Sequence, residues 1–385
     1  MARAYNVISG DSHLEIAPNR WTNRMPQKFR DHGPRLVELE DGGHGVIVEN
    51  RSLYVLGLAV TGKPFQEHKL SGIRYGEGPG TGTPEQRIKE QDEDGIDAEV
   101  MFTSAGNGGF WRGVGSDEAY RSLIHAYNEF LAEEYCAVDR DRLIAMPVIP
   151  STGVDDAIRE LEYCAKAGLK GVAINSFPSG KGFPTPDDDR FYAAAIDHNM
   201  PLTVHVGFIG REGPVFQYTK TPSIQGFGID PVRLLTRFVG GVSQNAIQMI
   251  FGGVFDRFPT LRIYWAETMT GWLPYFYEQV DDIYERCRYY AQAEYGLPPL
   301  KRKPSEYIKD HCLWGFLHDP YGVKVRNEVG VNNAIWGNDF PHSAGNWPNS
   351  REILDEMFEG VPSEDKDRLL RRNAVDFFHL DDLRN

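Results

Sequence analysis

The chain has 385 residues, of which 41% are hydrophobic and 25% charged, as in an ordinary folded protein and unlike a disordered or fibrous one. Its formal net charge of -14 repels phosphate backbones and no long lysine or arginine run offsets it, so we expect no nucleic-acid partner. No stretch approaches the roughly 18 apolar residues that span a bilayer, and the first residues lack the apolar core of a signal peptide.

The four cysteines, Cys136, Cys164, Cys287 and Cys312, lie too far apart for a structural zinc site and are too few for a disulfide scaffold. We therefore expect reduced thiols and a cytoplasmic protein. The expected partner is a small-molecule substrate, without nucleic acid or membrane, and the sequence leaves a homo-oligomer open.

Short aliphatic and β-branched runs alternate with longer amphipathic segments, which is typical of β/α units around a buried parallel sheet. The eight predicted strands are residues 5–9, 98–102, 143–149, 171–175, 201–206, 262–266, 312–315 and 334–337. The predicted helices are residues 117–138, 154–167, 191–198, 271–291, 321–329, 350–358 and 367–378. Eight such units predict a single α/β domain over residues 1–385, folded as a (β/α)8 TIM barrel.

Two segments interrupt this alternation. Residues 24–86 are rich in glycine and proline, with short possible strands at 45–48 and 52–55, and we interpret them as an insertion over the barrel mouth. Residues 288–307 contain three prolines and are expected to form a second elaboration that folds back as a loop.

Three motifs that follow predicted strands carry the residues suited to chemistry. Asp11 and His13 follow the first strand two residues apart, so both side chains can point to one place. Alone, this pair more often indicates a turn aspartate beside a solvated histidine. His205 ends the apolar fifth strand, where a metal ligand or a hydrogen-bonded core histidine is possible.

Asp339 follows the eighth strand, where an aspartate can bind a metal and accept a proton, although Asn-Asp also simply forms turns. Because the first, fifth and eighth strands of a barrel end on the same face, we expect these three motifs to converge. Two imidazoles and two carboxylates suit zinc or manganese, with positions left open for substrate.

The Asp11-x-His13 start, the Val204-His205 strand end and the Gly337-Asn-Asp339-Phe-Pro-His342 ending resemble the amidohydrolase-related superfamily. The resemblance spans nearly the whole chain, and the segment 251–262 is similar to the helix and turn before the sixth strand of the family. The chain is similar to the branch that contains aminocarboxymuconate-semialdehyde decarboxylase, resorcylate decarboxylases, and hydrolases and a hydratase of aromatic breakdown.

The resemblance implies that Asp11, His13 and His205 bind one divalent metal, and that Asp339 both binds it and transfers a proton. His342 is expected behind these ligands or beside the substrate. The sequence contains no lysine placed like the carbamylated lysine that bridges two metals in other amidohydrolases. We therefore expect one ion, zinc before manganese.

After the sixth strand this chain has Glu267 where the decarboxylases have a histidine. A carboxylate there argues against decarboxylation and gives Glu267 a role as general acid/base or extra ligand, unless it only orients a ligand histidine. Asp339, Glu267 and His205 are thus the expected catalytic residues. We expect first a metal-dependent hydrolase of an ester, amide, lactone or activated carbon-carbon bond.

The alternative to hydrolysis is a lyase, either a nonoxidative decarboxylase or a hydratase acting on an aromatic-derived carboxylic acid. A more distant alternative is a barrel that binds a structural ion without catalysis, although structural metal sites are normally closed rather than built on open loops.

Overall fold

A ring of eight parallel strands forms the centre of the computed structural model, which describes residues 3–49, 54–55, 59–69, 71–103, 111, 114–208 and 241–383. The strands in chain order are β1 (Ile8–Leu14), β2 (Arg35–Glu38), β3 (His44–Ile47), β4 (Tyr54–Val55), β5 (Ala98–Thr103), β6 (Leu143–Ala145), β7 (Val172–Ala173), β8 (Leu202–His205), β9 (Ile263–Ala266), β10 (Cys312–Phe316) and β11 (Ala334–Trp336). The ring consists of β1 and β5 to β11, so the predicted TIM barrel is confirmed.

The ring is assembled from two runs of paired strands. One run has the order β1-β5-β6 and the other the order β7-β8-β9-β10-β11. A bridge between Val148 and Ala173 joins the runs on one side, and a bridge between Ser12 and Phe340 joins them on the other. Every strand that we predicted from the sequence is present in the predicted order, with bounds that differ by a few residues.

Alternation along the strands separates the interior of the barrel from its outer layer. In β5, the side chains of Ala98, Val100 and Phe102 belong to the interior cluster, whereas Met101 packs in the outer one. Near the carboxyl end of the chain, the rings of Phe377 and Phe378 lie 6.0 and 5.9 Å from the ring of Tyr264 and join the same interior cluster.

Helices surround the ring. The α-helices are Pro84–Asp94, Asp117–Phe130, Val154–Lys166, Asp189–Asp197, Gly241–Phe251, Val254–Arg257, Leu273–Tyr295, Pro304–His311, Pro320–Lys324, Arg326–Val329, Ser350–Met357, Ser363–Asp367 and Asn373–Phe378, and π-helical turns occur at Leu131–Tyr135 and Arg368–Arg372. Within the described ranges, no helix is both long and apolar enough to cross a membrane.

The prediction of a loop at residues 288–307 is wrong over most of that segment. Its first part continues the helix Leu273–Tyr295, and its last part begins the helix Pro304–His311. Pro304 misled the prediction because proline is also favoured in the first turn of a helix, where its missing N–H is not needed. Only residues 296–303 lie between the two helices.

The segment 24–86 contains a small antiparallel sheet with the order β2-β3-β4. The predicted strand at 45–48 corresponds to β3, and residues 54–55 of the predicted strand 52–55 form β4, while 52–53 lie outside the described residues. Ala59 bridges His342, and the amide of Thr61 donates to the carbonyl of Pro341 at 3.3 Å. The segment therefore contacts the loop after β11, and its role as a cover of the mouth stays a prediction.

Candidate metal centre

Strand β1 carries Asp11 and His13 into the barrel, and both side chains are fully buried. The pairing of β1 with β5 shifts register between Ser9 and Ser12, so this part of the strand departs from a regular ladder. The carbonyl of Asp11 accepts from the amide of Asp339 at 2.9 Å, and the amide of His13 donates to the carbonyl of Phe340 at 2.7 Å. The backbones of the first and last motifs are thus bonded directly to each other.

Gly337 lets these two motifs approach so closely. A Cβ at this position would lie 2.6 Å from Cβ and 2.9 Å from the backbone nitrogen of Asp11, closer than real Cβ contacts. Because backbone atoms cannot turn aside as a side chain can, a larger residue at Gly337 must displace Asp11.

We expect Gly337→Ala to destabilise the fold by about 1–3 kcal/mol, the usual cost of overpacking, and to weaken divalent-metal binding. Urea unfolding and a Mn²⁺ titration would measure the two effects. Gly182→Ala is the matched control, because a Cβ there meets nothing within 4 Å. A Gly337→Ala protein that matches this control in both measurements would contradict the packing argument.

His205 lies at the end of β8 and faces the barrel interior, on the same side of the strand as Thr203. Val204 between them packs in the outer layer, which is why an apolar strand can end in an inward histidine. The Nε2 atom of His205 is 3.5 Å from Oδ1 of Asp11, and the two histidine rings, His205 and His13, meet edge to face at 4.6 Å.

Asp339 and His342 follow β11 and are both buried. Oδ1 of Asp339 lies 3.0 Å from Nε2 of His13 and 3.5 Å from Nδ1 of His342. The ring of His342 stacks on that of His13 with centroids 3.8 Å apart. The two histidines thus share one carboxylate oxygen between them.

Glu267 follows β9 and is 2% exposed. Its Oε2 lies 3.3 Å from Nε2 of His205. Oxygen atoms of Glu267, Asp11 and Asp339 fall within 4.8 Å of one another, as do donor atoms of Asp11, His13 and His205. The residues predicted as ligands and catalytic groups are therefore brought together at one end of the barrel, and Glu267 lies among them.

Three of the strand ends have an unusual backbone. Val206, Glu267 and Asp339 have φ values of 59°, 56° and 50°, in the left-handed region that residues with a Cβ rarely adopt. A β-branched valine is especially unfavourable there. Such strain clusters at functional sites, where surrounding contacts hold the backbone in place, and here it occurs where β8, β9 and β11 end.

The charges of the site shape its protonation. Burial raises the pKa of Asp11 and lowers the pKa of His13 well below its usual value. Burial also raises the pKa of Asp339, but the neighbouring His342 and His13 outweigh it and lower the pKa of this carboxyl below the usual range. Against the effect of burial, Asp339 and then Glu15 raise the pKa of His342 to about 9.

The donor atoms of the cluster lack ordinary partners. Within the described part of the chain, both carboxylate oxygens of Asp11 and both ring nitrogens of His13 make no hydrogen bond of normal geometry. The same holds for Oδ1 of Asp339 and Nε2 of His205. Buried carboxylate oxygens without a hydrogen bond of normal geometry are costly, and a divalent cation between these atoms would satisfy them. The residues present therefore fit a metal ion.

Glu15 is a member of the site that the sequence analysis missed. It is buried, and its Oε1 lies 3.0 Å from Nε2 of His342 on the side of the imidazole away from Asp339. The sequence signal for Glu15 is its spacing, since Asp11, His13 and Glu15 are each two positions apart, as residues on one side of an extended chain are. The predicted first strand ends at residue 9, before this alternation begins, whereas the strand in the structure continues to Leu14.

Comparisons with known proteins agree with this architecture. Residues 77–380 match the Amidohydrolase family. The 2-amino-3-carboxymuconate-6-semialdehyde decarboxylase of Dictyostelium discoideum is 23% identical over 376 residues, which cover 96% of this chain and 91% of that protein. An amidohydrolase from Mycobacterium avium subsp. paratuberculosis K-10 superposes with a TM-score of 0.71 at 20% identity, covering 98% of this chain and 100% of the other.

A 5-carboxyvanillate decarboxylase from Novosphingobium aromaticivorans, solved with manganese and 4-hydroxy-3-methoxy-5-nitrobenzoic acid, superposes with a TM-score of 0.63 at 19% identity. The superposition covers 98% of this chain and 96% of the other. Structural likeness at this identity supports the fold. Since the family match covers most of the residues, including β5 to β11 and Asp339, the chain belongs to the amidohydrolase family.

Proposed function

We propose that this protein is a metal-dependent lyase that removes carbon dioxide, without oxidation, from an aromatic-derived carboxylic acid. The observation that carries the proposal is the match over 96% of the chain to a protein named as a decarboxylase of a carboxymuconate. Hydrolysis, which we expect first from the sequence, has only the general term amidohydrolase in its favour among the relatives reported above. The proposal therefore takes up the lyase alternative.

The metal would be held by Asp11, His13, His205 and Asp339. A divalent ion bound there would act as a Lewis acid, stabilising negative charge on a substrate oxygen during bond cleavage. We propose manganese before zinc, because carboxylate-rich donor sets suit the harder ion and Glu267 adds a third carboxylate to the cluster. The manganese in the 5-carboxyvanillate decarboxylase supports the same choice.

The side chains of the site must also manage one proton. In a decarboxylation the bond from the substrate carbon to its carboxyl group breaks, carbon dioxide leaves, and the electron pair stays on the carbon until a proton arrives. Asp339 is suited to remain ionised, since His342 and His13 lower the pKa of its carboxyl. We propose Glu267 as the group that delivers the proton, in place of the histidine of the decarboxylases that the chain resembles.

A substrate screen would test the proposal. The Mn²⁺-loaded protein is expected to release carbon dioxide from at least one member of a panel of hydroxybenzoic, methoxylated benzoic and carboxymuconic acids. In D₂O, one deuterium should appear at the vacated carbon. No release from any acid, together with turnover of an ester or lactone, would contradict the lyase and support hydrolysis.

Hydrolysis stays the second candidate because of Glu267. Two carboxylates, Glu267 and Asp339, with oxygen atoms within 4.8 Å of each other can accept a proton and return it around a tetrahedral intermediate. A protein that binds metal but turns over neither acids nor esters, amides and lactones would instead support a non-catalytic barrel.

We expect about one divalent metal ion per chain in protein purified without added metal, because the donor atoms converge at one point. Elemental analysis checks this number. Replacing both His13 and His205 by alanine should abolish binding, and it should also abolish the stabilisation of about 2.7 kcal/mol expected at 100 times the dissociation constant. His125→Ala with His198→Ala is the control, since both side chains are more than 40% exposed and lie outside the cluster. Two ions per chain would contradict a mononuclear site.

A further inference from the structure

A cluster of buried polar side chains contacts the backbone segments that carry the candidate ligands. Its central residue is Arg87, in the helix Pro84–Asp94, with 1% of its surface exposed. The Nε atom of Arg87 donates to Oε2 of Glu99 on β5 at 2.6 Å, forming a buried ion pair. The other members of this Arg87 cluster are Gln91, Asp94 and Asn338.

The remaining donors of Arg87 reach two backbone carbonyls. Nη1 donates to the carbonyl of His13 at 3.0 Å, and Nη2 donates to the carbonyl of Phe340 at 3.2 Å. His13 is a proposed ligand, and Phe340 directly follows the proposed ligand Asp339. One planar guanidinium therefore bonds to both chain segments whose side chains meet at the site.

Asn338 reinforces the same connection from the neighbouring position. Its side-chain amide donates to Oε1 of Glu99 at 3.1 Å and to Oδ2 of Asp94 at 3.3 Å. Its oxygen accepts from the hydroxyl of Ser9 on the other segment at 2.9 Å. Glu99 thus contacts both Arg87 and Asn338, so the cluster is one connected network rather than a set of separate pairs.

A buried ion pair is weak evidence for stability, because burying both charges offsets much of their attraction. The hydrogen bonds from Arg87 to the two carbonyls have a different effect, since they fix the distance between two backbone segments. Metal affinity depends on that distance, because the affinity falls when the ligands must move before they can bind the ion. Nε2 of His13 and Oδ1 of Asp339 already lie 3.0 Å apart, close enough to bind one ion together.

We infer that Arg87 is a positioning residue of the metal centre: it joins the backbones that carry His13 and Asp339 and thereby sets the affinity for the divalent ion. This inference rests on the proposed metal site but not on the reaction that it performs. Arg87 itself contacts neither metal nor substrate.

Arg371 provides a matched comparison. It is also 1% exposed, and its ion pairs are with Asp367 and Asp382, neither of which belongs to the metal centre. Loss of either arginine should lower the melting temperature of the metal-free protein. Only the loss of Arg87 should change metal binding as well.

The experiment is a Mn²⁺ titration monitored by electron paramagnetic resonance. It compares wild type with Arg87→Met, Arg87→Lys and Arg371→Met, and melting curves are measured for the metal-free proteins. Arg87→Met is expected to raise the dissociation constant about tenfold or more, as for other residues that orient metal ligands. Arg87→Lys keeps a positive charge near Glu99 but cannot bond both carbonyls. Its affinity for Mn²⁺ should therefore lie between those of wild type and Arg87→Met. Arg371→Met should bind Mn²⁺ as wild type does.

A folded Arg87→Met protein with wild-type affinity would overturn the inference. If that variant does not fold, Arg87→Lys decides, and wild-type affinity in this variant would overturn the inference in the same way. A wild-type protein that binds no Mn²⁺ would refute the metal centre and with it the role of Arg87. Binding is read without turnover, so failure of the decarboxylase proposal alone leaves this result unaffected.

Discussion

Asp339→Asn is expected to lower kcat/KM by about 100-fold or more while the barrel stays folded. The amide keeps the size of the side chain but removes the negative charge that lies 3.0 Å from His13 and 3.5 Å from His342. Both as a ligand and as a partner of these imidazoles, Asp339 acts through that charge. The measurement is carbon dioxide release under saturating Mn²⁺, with circular dichroism to monitor the fold.

Asp382→Asn is the control for loss of a buried carboxylate. The side chain of Asp382 is fully buried, pairs with Arg371, and accepts from the amide of Tyr5, which precedes β1. We expect this variant to be less stable but to keep its kcat/KM. An Asp339→Asn enzyme within about threefold of wild type would rule out the proposed role as ligand and partner of the imidazoles, since loss of that charge is expected to cost far more.

Glu267 separates the candidate reactions, and we expect opposite results from two substitutions. In a decarboxylase that uses Glu267 as its proton donor, Glu267→Gln should lower carbon dioxide release by about 100-fold or more, because an amide cannot donate that proton. Glu267→His should keep or raise activity, since it restores the residue of the decarboxylases. Rates with both variants, and deuterium incorporation in D₂O, provide the measurement.

Other outcomes identify the other roles of Glu267. If Glu267→Gln stays active, the side chain is not the proton donor and serves as an oxygen ligand beside His205, whose Nε2 lies 3.3 Å from its carboxylate, because an amide oxygen can still bind the ion. If both variants lose turnover of an ester or lactone that the wild type hydrolyses, the carboxylate serves hydrolysis. Metal content must be measured beside each rate, because Glu267 lies among the candidate ligands.

The barrel was predictable because its strands repeat one pattern, short apolar runs between amphipathic segments. The helix Pro84–Asp94 was not, and its composition explains why. Apart from Pro84, its buried residues are Arg87, Glu90, Gln91 and Asp94, so the face that packs against the barrel carries no apolar stripe. A helix that buries charge in a network looks like a solvated segment in a sequence.

The site was predictable where polar residues interrupt apolar strands, as His205 does. It was less visible in β1, which runs from Ile8 to Leu14 and buries four polar side chains. Hydrophobic periodicity ends at residue 9, so the sequence suggested a loop where the strand continues, and Glu15 escaped notice. Only the fold brings Glu15 within 3.0 Å of His342, which is 327 positions away.

Closure of the ring has a consequence for how this protein is made. The bridge that closes it joins Ser12 to Phe340, and Phe377 and Phe378 complete its interior against Tyr264. During synthesis, β1 therefore emerges from the ribosome long before the strand that lies beside it. Until then the growing chain has an unpaired strand edge and an uncovered apolar interior, the features that promote aggregation and recruit chaperones. The contacts that assemble the metal centre are accordingly among the last to form.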